Sequence, residues 1–480
     1  MEKFDVLIIG AGPGGYTAAV RAARLGLKTA IVERSEVGGV CLNAGCIPTK
    51  AILKSARVYE TAMDMESYGI DLMSSENEGG FRSVPFRPDL SRINERKDKA
   101  VDRMRKGVEF LFRKYGVTLF RGNGEIVSPG SVKISPLSSV SEEENSFFVE
   151  ADNIIIATGA SPNILPLVPV DGEKIITYWQ AISPEKLPSK MAVIGSGAIG
   201  SELSYFYASM GVEVHLIEYL NRIVPLEDEE VSAQLSRCFK KCGITVSVGM
   251  NVKKAERYGE GIRLFTEDKK GEHVIDADIV LSAAGVRPNT FGLGLENLGV
   301  KMSRGKIDVD EKYATSVKGI YAIGDVIATP ALAHVASMEG IRAVEGIAGI
   351  EYEPLDYLQV PACTFTTPEI ASVGMTEEKV RMAGIDYRAG KFSFVASGKA
   401  VAAGETDGFV KMICEKETGK ILGVHIIGSG ASEMIGGMAL AMRMGAKCSD
   451  IAATIFPHPT MSEGIREVAE SLCYPDIKNK

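Results

Sequence analysis

The sequence predicts an α/β protein in which two related units are followed by a C-terminal α+β domain. Three observations predict this organisation. The length of 480 residues is enough for about three domains of ordinary size. A pattern of strand, glycine turn, helix and strand occurs twice, about 185 residues apart. From about residue 351 onward, new strands and Met-rich helices follow with no third copy of that pattern.

The composition excludes several classes of partner. Lys and Arg number 54 against 62 Asp and Glu, so the net charge is −8 and no broad basic surface is expected for nucleic acid. The first apolar run, Val6–Ile9, is too short for a signal peptide or a membrane helix. Eight cysteines are too few for a disulfide-stapled secreted scaffold. We therefore expect no membrane association and a cytoplasmic location.

The first copy of the pattern begins with an apolar strand at Phe4–Ile9. It continues with Gly10, Gly12 and Gly15, a helix extending to about residue 25, and a second strand that closes with Glu33. The first glycine of such a turn makes the tight bend, the second lets a pyrophosphate approach the backbone, and the third packs helix on strand. The closing acid accepts hydrogen bonds from a ribose diol.

The second copy has the same parts in the same order. Gly195, Gly197 and Gly200 follow the strand 191–194, and Glu218 closes the next strand 23 residues after the first glycine. Each copy alone could be merely a tight turn in an α/β sheet, but two copies with strand, helix and acid favour two dinucleotide sites. A carboxylate at position 218, with Arg222 as the nearest cation, favours NAD over NADP.

Cys41 and Cys46 are the two cysteines to which we assign chemistry. They are separated by four residues at what looks like the start of a helix, with Pro48 early in that helix. A helix N-terminus favours a thiolate, so the pair is a candidate dithiol–disulfide couple. Two structural cysteines or half a zinc site is the alternative, although no further Cys or His cluster supplies the missing ligands. The other six cysteines are scattered, and we expect most of them to be small buried apolar residues.

These motifs resemble those of the pyridine nucleotide–disulfide oxidoreductases, a family of FAD-dependent enzymes. The resemblance extends from about residue 4 to about residue 472. Its segments are GGVCLNAGCIPTK (38–50), ATG (157–159), GSGAIGSE (195–202), AAGVRPN (283–289), YAIGD (321–325) and HPTMSE (458–463).

The resemblance implies roles for particular residues. Cys41 and Cys46 would form the redox disulfide, with Cys46 against the flavin, while His458 would be the base and Glu463 its orienting carboxylate. The FAD-binding residues would be Gly10, Gly12, Gly15, Glu33, Lys50, Gly124, Thr158, Gly159, Asp325, Leu332, Ala333 and His334. The NAD-binding residues would be Gly195, Gly197, Gly200, Glu202, Glu218, Val252 and Gly285, with Lys50 and Glu202 forming a pair near the flavin. No metal site is expected.

Within the family, the sequence is most similar to the enzymes that oxidise protein-bound dihydrolipoyl groups with NAD⁺. The LAH segment at 332–334 followed by Glu339-Gly340 supports this choice, as does Glu218. A glutathione reductase-like enzyme is the alternative within the family, and a non-catalytic protein that kept the fold is the alternative outside it. Two departures from the pattern concern partner docking: Phe456 stands where many relatives carry a second His, and the loop Ser74–Pro88 is long.

The resemblance also implies domain limits and partners. Residues 1–150 would begin the FAD-binding domain, 151–280 form the NAD-binding domain, 281–350 return to the FAD-binding part, and 351–480 form a dimerisation domain. The protein would be a homodimer in which His458 and Glu463 of one subunit complete the site of the other. Its substrate partner would be the lipoyl domain of an acyltransferase or a glycine-cleavage H protein.

Overall fold

The computed structural model describes residues 2–70, 86–137 and 146–474. The chain divides into two compact units, each taken by itself below. The first comprises residues 1–51, 95–163 and 285–357, and the second comprises 52–94, 164–284 and 358–480. Most of the predicted loop Ser74–Pro88 and of the predicted turn at 138–146 lies outside the described residues. The predicted domain limits stay predictions. In the ranges described, no helix has both the length and the apolar character needed to cross a membrane.

The strands in chain order are β1 (Lys3–Ile9), β2 (Thr29–Glu33), β3 (Thr118–Arg121), β4 (Asn123–Ser128), β5 (Ser131–Ser135), β6 (Phe147–Ile156), β7 (Ala160–Pro162), β8 (Ile175–Ile176), β9 (Lys190–Ile194), β10 (Glu213–Ile217), β11 (Thr245–Ser247), β12 (Asn251–Tyr258), β13 (Gly261–Asp268), β14 (Gly271–Ala277), β15 (Ile279–Ser282), β16 (Val286–Pro288), β17 (Met302–Ser303), β18 (Lys306–Ile307), β19 (Ile320–Ala322), β20 (Ala362–Thr364), β21 (Ile370–Gly374), β22 (Tyr387–Ser393), β23 (Phe409–Glu415) and β24 (Ile421–Ile427).

The α-helices in chain order are α1 (Pro13–Arg24), α2 (Gly39–Asn43), α3 (Cys46–Met63), α4 (Leu90–Tyr115), α5 (Tyr178–Ala181), α6 (Ala198–Ser209), α7 (Glu229–Lys241), α8 (Leu295–Leu298), α9 (Ala333–Ile347), α10 (Glu377–Met382), α11 (Gly398–Ala403), α12 (Ala431–Arg443), α13 (Cys448–Ala453) and α14 (Glu463–Cys473). Short 3₁₀ helices occupy Met65–Tyr68, Gly324–Val326, Tyr357–Gln359 and Phe394–Ala396.

The first unit is built on a mixed sheet with the strand order β3-β2-β1-β6-β5-β4, and β19 pairs with β6. The pairs of β1 with β2 and β6, of β2 with β3 and of β6 with β19 are parallel, whereas β4, β5 and β6 pair antiparallel. The central strand β1 has a continuous run of buried apolar residues at its C-terminal end, as expected for a parallel strand covered on both faces. The first glycine turn therefore leaves the middle of the sheet at the carboxyl ends of its parallel strands.

Helices α1 and α9 of the first unit pack closely because glycines lie at their contact. A Cβ on Gly340 would lie 2.6 Å from the carbonyl oxygen of Gly14, so no larger residue fits without moving one helix. Thr17 donates a hydrogen bond to Ser337 at 3.3 Å across the same contact. The start of α9, where the predicted residues 332–334 lie, is thereby fixed against the helix that begins at the first glycine turn.

The second unit contains a parallel sheet with the order β11-β10-β9-β15-β8, next to the antiparallel sheet β12-β13-β14. The second glycine turn follows β9, which lies between β10 and β15. The position of the turn in this sheet matches that of the first turn in its own sheet. Both copies of the repeat are therefore strand, turn, helix and parallel strand, as the sequence predicts.

The C-terminal part of the second unit is an antiparallel sheet, β20-β21-β24-β23-β22, with helices α12, α13 and α14. Its core is formed by β23 and β24 and by the inner faces of α12 and α14. Of the six scattered cysteines that we expected to be buried, Cys238, Cys414 and Cys448 are buried, Cys363 and Cys473 are partly buried, and Cys242 is exposed. Cys414 and Cys448 belong to this core, and the partly buried Cys473 packs against it.

Candidate active site

The first glycine turn has the shape that a bound dinucleotide requires. Gly10 has φ +103°, a conformation that only glycine adopts readily, and a Cβ on Gly15 would lie 1.9 Å from the Gly10 carbonyl oxygen. Glu33 is buried, and its carboxylate accepts hydrogen bonds from the backbone N–H of Ala11 and of Ser35, both at 2.7 Å. The acid that closes β2 therefore holds the turn in place.

The second glycine turn repeats this geometry. Gly195 has φ +97°, and a Cβ on Gly200 would lie 1.8 Å from the Gly195 carbonyl oxygen. The buried Glu218 accepts hydrogen bonds from the Ser196 amide at 2.8 Å, the Ser196 hydroxyl at 2.6 Å and the Leu220 amide at 2.8 Å. Since the two turns agree in their glycines and in their acids, the two copies form one kind of site twice.

Both helices that leave these turns have open N-termini, and a bound dinucleotide requires such free N-terminal amides for its pyrophosphate. Gly12 and Gly197 are the N-cap residues of α1 and α6; among the described residues no side chain caps either helix and no acid lies in either first turn. A Cβ on Gly197 would meet nothing within 4 Å, and one on Gly12 only Gly39 Cα at 3.9 Å. The amides of both first turns are therefore free of side-chain acceptors and positioned for a pyrophosphate. The residues of both turns therefore fit a dinucleotide, and the assignment of FAD to the first turn and NAD to the second stays a prediction.

Arg222 is the cation nearest to Glu218 along the chain, and it is engaged elsewhere. Its guanidinium forms a bidentate ion pair with Glu378 at 2.8 and 2.6 Å, and this raises the pKa of Arg222. The second turn is therefore closed by the carboxylate of Glu218, while the neighbouring arginine is neutralised by another acid. This arrangement favours NAD over NADP.

The strand-end motifs at 157–159 and 283–289 are joined by a residue that the sequence analysis did not single out. The Asn289 side-chain amide donates to the Thr158 carbonyl at 3.0 Å, and its backbone N–H donates to the Gly159 carbonyl at 2.9 Å. The Thr158 hydroxyl donates in turn to the Asn289 carbonyl at 2.7 Å. Gly159 and Gly285 both have positive φ, and a Cβ on either would meet nothing within 4 Å. These hydrogen bonds form a clamp of Asn289 on residues 158–159. Asn289 is the last residue of the AAGVRPN segment, which is the feature of the sequence that could have indicated the clamp.

The remaining predicted FAD residues lie in the first unit. Gly124 is buried in β4, where a Cβ would meet the Ile9 and Val32 side chains at 3.3 and 3.4 Å. Leu332 is the N-cap of α9, Ala333 begins that helix, and the side chain of His334 is exposed.

Asp325 lies in a 3₁₀ turn, and its burial raises the pKa of its carboxyl. The fully buried Glu339 accepts hydrogen bonds from the Gly324 amide at 2.6 Å and the Tyr357 hydroxyl at 2.9 Å, so it positions this turn. In the sequence, Glu339 is marked only by its place in the segment Glu339-Gly340 that carries the resemblance.

Cys41 and Cys46 are adjacent, but they do not start one helix as the sequence suggested. Cys41 lies in the short helix α2, and Cys46 is the first residue of α3. The chain breaks between them because Asn43 donates side-chain hydrogen bonds to the carbonyls of Val37 at 3.0 Å and Gly39 at 2.9 Å. Arg105 holds Asn43 in turn, at 3.0 Å. These contacts were not visible in the spacing of the two cysteines.

The side chains of Cys41 and Cys46 are hydrogen-bonded to each other. That hydrogen bond and burial raise the pKa of Cys41, while the nearby Lys50 ammonium opposes the rise. The raised pKa favours the protonated form of the Cys41 thiol in the dithiol state, and Cys46 lies at the N-terminus of α3. Tyr16 of α1 lies in the same region. Burial and the two neighbouring cysteines raise the pKa of its hydroxyl.

His458 and Glu463 form the predicted pair. His458 Nδ1 lies 2.8 Å from Glu463 Oε1, and Glu463 Oε2 accepts the Thr460 amide at 2.8 Å. These contacts lower the pKa of Glu463, so it stays ionised at neutral pH. His458 is 77% exposed and lies between α13 and α14. The imidazole is oriented through Nδ1, and most of the side chain is exposed to solvent.

The predicted residues are distributed over both units. Glu202 on α6 accepts the Phe365 amide at 2.9 Å, and Val252 lies in β12 at an irregularity of the strand register. The cysteine pair, Lys50 and all the predicted FAD residues lie in the first unit, together with Gly285. The remaining NAD residues and the pair His458–Glu463 lie in the second. The predicted pair of Lys50 with Glu202 stays a prediction.

Taken together, two dinucleotide turns and an adjacent pair of thiols define a redox protein of the α/β class. Residues 4–340 match the family described as pyridine nucleotide-disulphide oxidoreductase, and residues 360–469 match its dimerisation domain. Among curated proteins, the chain is 43% identical to a dihydrolipoyl dehydrogenase of Rhizobium etli over 97% of each chain. It is 42% identical to the mitochondrial dihydrolipoyl dehydrogenase of Pisum sativum, over 98% of this chain and 91% of that one.

A solved structure of LpdA from Mycobacterium tuberculosis superposes with a TM-score of 0.87 at 28% identity, covering 98% of this chain and all of the other. The chain belongs to the pyridine nucleotide–disulfide oxidoreductase family. This membership confirms the predicted fold class, the prediction of an oxidoreductase, and the cofactor pair FAD and NAD.

Proposed function

We propose that the protein oxidises dihydrolipoyl groups to the lipoyl disulfide and reduces NAD⁺, as a dihydrolipoyl dehydrogenase. The observation that carries the proposal is the hydrogen-bonded thiol pair Cys41 and Cys46, on the unit that begins with the first dinucleotide turn. The near full-length similarity to curated dihydrolipoyl dehydrogenases supports the choice of substrate. FAD, when bound, supplies the acceptor that takes two electrons from a dithiol and gives a hydride to NAD⁺.

The protein's own residues perform the thiol exchange. In the oxidised enzyme a substrate thiolate attacks Cys41 Sγ, a substrate–Cys41 bond forms, and Cys46 leaves as a thiolate. The second substrate thiol then displaces Cys41, which yields the substrate disulfide and the enzyme dithiol. Each substrate thiol must lose a proton, and we assign its removal to Nε2 of His458, which releases the first proton to solvent before it takes up the second. Glu463 stabilises the imidazolium that forms, because it is held ionised by Thr460 and bonded to Nδ1.

We propose that the protein works as a homodimer and that the pair His458–Glu463 serves the cysteines of the other subunit. The match to the family's dimerisation domain, residues 360–469, includes both residues. Large apolar side chains of this segment are exposed, among them Ile455 at 95%, three residues before His458. An apolar surface beside a catalytic pair is what a subunit interface requires. A mixed dimer of Cys41→Ser and His458→Ala chains should then recover one of its two sites, and no recovery after mixing would contradict the shared site.

The proposed substrate carrier is a lipoyl domain of an acyltransferase or a glycine-cleavage H protein. The proposed compartment is the cytoplasm, where a reducing environment allows a dithiol pair to turn over. Arg222 bears on the alternative of a glutathione reductase-like enzyme, because its bidentate pair with Glu378 withdraws a cation that could hold the 2′-phosphate of NADPH.

The experiment compares turnover of dihydrolipoamide with NAD⁺ against that of glutathione disulfide with NADPH, with FAD-loaded protein. The first pair should turn over and the second should not. Cys46→Ser should abolish dihydrolipoamide oxidation, while Cys242→Ser, a change at an exposed cysteine, should leave it intact. Turnover of glutathione disulfide alone would refute the proposed substrate, and full activity of Cys46→Ser would refute the proposed mechanism.

A further inference from the structure

Three of the cysteines that look scattered in the sequence meet at one place in the C-terminal part of the second unit. Cys414 comes from β23, Cys448 is the first residue of α13, and Cys473 is the last residue of α14. The Sγ atoms of Cys473 and Cys448 are 3.1 Å apart, and Cys414 is hydrogen-bonded to Cys448. Three thiols from three elements therefore share one contact.

The backbone around these thiols is held by hydrogen bonds that do not involve sulfur. The Cys448 amide donates to the Gly419 carbonyl at 2.8 Å, which fixes the start of α13. Arg388 donates to the Leu472 carbonyl at 3.0 Å, which fixes the end of α14. Both cysteines are thus presented by restrained helix ends, so the proximity of their sulfurs does not depend on loose side chains.

Cys448 and Cys473 differ from Cys414 in what can reach them. Cys414 is fully buried and Cys448 is 3% exposed, whereas Cys473 is only partly buried. A small solute therefore reaches Cys473 first. Cys448 is then the neighbouring thiol that can react with the modified Cys473. Among the described residues no group of three or more Cys, His, Asp or Glu side chains is arranged to hold a metal ion.

We propose that Cys448 and Cys473 are a second redox-active pair, which a peroxide converts to a disulfide that ties α13 to α14. The pair is separate from Cys41–Cys46, which lies in the other unit. The segment between the two cysteines contains His458 and Glu463. Oxidation would thus close a covalent loop around the residues to which we assign proton transfer.

The chemistry balances with one peroxide. The Cys473 thiolate attacks one peroxide oxygen, the O–O bond breaks, and water leaves with the sulfenic acid formed at Cys473. Cys448 Sγ then attacks Cys473 Sγ, an S–S bond forms, the S–O bond breaks, and a second water leaves with the Cys448 proton. The two sulfurs lose two electrons and the peroxide gains two.

The surroundings of Cys473 also slow its reaction with a peroxide. Burial and the hydrogen bond to Cys448 raise the pKa of Cys473 to about 11, so little thiolate forms at neutral pH. The Arg388 guanidinium partly opposes this rise. Oxidation should therefore be slower than at an exposed thiol and should leave the ordinary reduced enzyme unchanged.

The test is peptide mapping of holoenzyme treated with hydrogen peroxide, quenched with an alkylating agent and digested with trypsin. Cleavage after Lys447, Arg466 and Lys478 places Cys448 and Cys473 on two different peptides, 448–466 and 467–478. The proposal expects these peptides joined, lighter by two hydrogens than their sum, and separated again by reductant. Cys41 and Cys46 share one peptide, 35–50, so their disulfide cannot be mistaken for this one.

Two variants and a melting experiment complete the test. Cys473→Ser should lose the joined peptides, whereas Cys242→Ser, at an exposed cysteine, should keep them. The peroxide-treated wild type should unfold a few degrees higher than the reduced enzyme, a difference that reductant reverses and Cys473→Ser lacks. The proposal is overturned if the wild type, still folded, shows a complete disulfide in peptide 35–50 but no joined peptides. Joining of Cys414 with Cys448 in place of Cys473 would overturn it as well.

Discussion

Replacement of Gly197 by alanine separates cofactor binding from folding at the second dinucleotide turn. Gly197 has φ −64°, which alanine adopts freely, and a Cβ there would meet nothing within 4 Å. Loss of a good N-cap and the gain from a stiffer unfolded chain are each about 0.5–1 kcal/mol and oppose one another. The free energy of unfolding should therefore change by less than about 1 kcal/mol.

The effect on NAD should be much larger. A methyl group at the N-cap of α6 occupies the space through which a pyrophosphate approaches the first-turn amides. A hydrogen bond to a charged group contributes about 1.5–3 kcal/mol, so losing one such contact should raise the KM for NAD⁺ roughly 10- to 100-fold. The assay is dihydrolipoamide-dependent reduction of NAD⁺ at varied NAD⁺, together with a thermal melt of the same preparation.

Two alanine variants serve as matched controls. Gly107→Ala on the exposed face of α4 also places a Cβ in open space, and it should leave the KM unchanged while preserving or raising stability. Gly200→Ala places its Cβ 1.8 Å from the Gly195 carbonyl oxygen, so it should destabilise the fold by at least about 1–3 kcal/mol. An unchanged KM for NAD⁺ in a folded Gly197→Ala protein would refute the assignment of the second turn to the nucleotide.

Three other changes probe the pair His458–Glu463 and the buried charges of the second unit. His458→Gln should lower kcat with dihydrolipoamide by about 10²–10⁴-fold, and Glu463→Gln by less, because it removes the orienting charge and leaves the base; equal losses in a steady-state assay would contradict this order. Lys411→Met should destabilise the protein by about 3–5 kcal/mol in denaturant melts, because the buried Lys411 bonds Asp228 at 2.9 Å and would leave that buried carboxylate unpaired. Burial raises the pKa of Glu227 from 4.5 to about 7. The free energy that folding loses by burying its charged form is therefore absent below pH 4.5, grows as the pH rises to 7 and is constant above that. Glu227→Gln should therefore stabilise the protein by about 3 kcal/mol at pH 8 and by little at pH 4.5, and a gain independent of pH would refute the shift.

The parts of the fold that the sequence predicts are those whose signals are local. A strand, a glycine turn and a helix are specified by neighbouring residues, and Gly10–Gly15 and Gly195–Gly200 form the same turn in the structure because each requirement is met within a few positions. The pair His458–Glu463 is similar: five residues and the intervening turn are enough to bring Nδ1 and Oε1 to 2.8 Å.

What the sequence could not predict depends on contacts between distant segments. The break between Cys41 and Cys46 is set by Asn43, which Arg105 holds from 62 positions away. The clamp of Asn289 on Thr158 spans 131 positions. The meeting of Cys414, Cys448 and Cys473 requires the order of strands in the C-terminal sheet, which no local pattern specifies.

Glu33 and Glu218 show how one carboxylate can both hold the backbone of a glycine turn and accept a hydrogen bond from a ribose. Each carboxylate already accepts hydrogen bonds from two backbone amides. One amide belongs to the residue after the first glycine, and the other belongs to the residue two positions after the acid itself. A carboxylate has about four acceptor sites on its two oxygens, so about two remain at Glu33, whereas about one remains at Glu218, which also accepts the Ser196 hydroxyl. The acid therefore shapes the turn through its own hydrogen bonds to the backbone. Consequently the carboxylate alone is weak support for NAD over NADP, and the added observation that decides it is Arg222, which Glu378 neutralises instead of a 2′-phosphate.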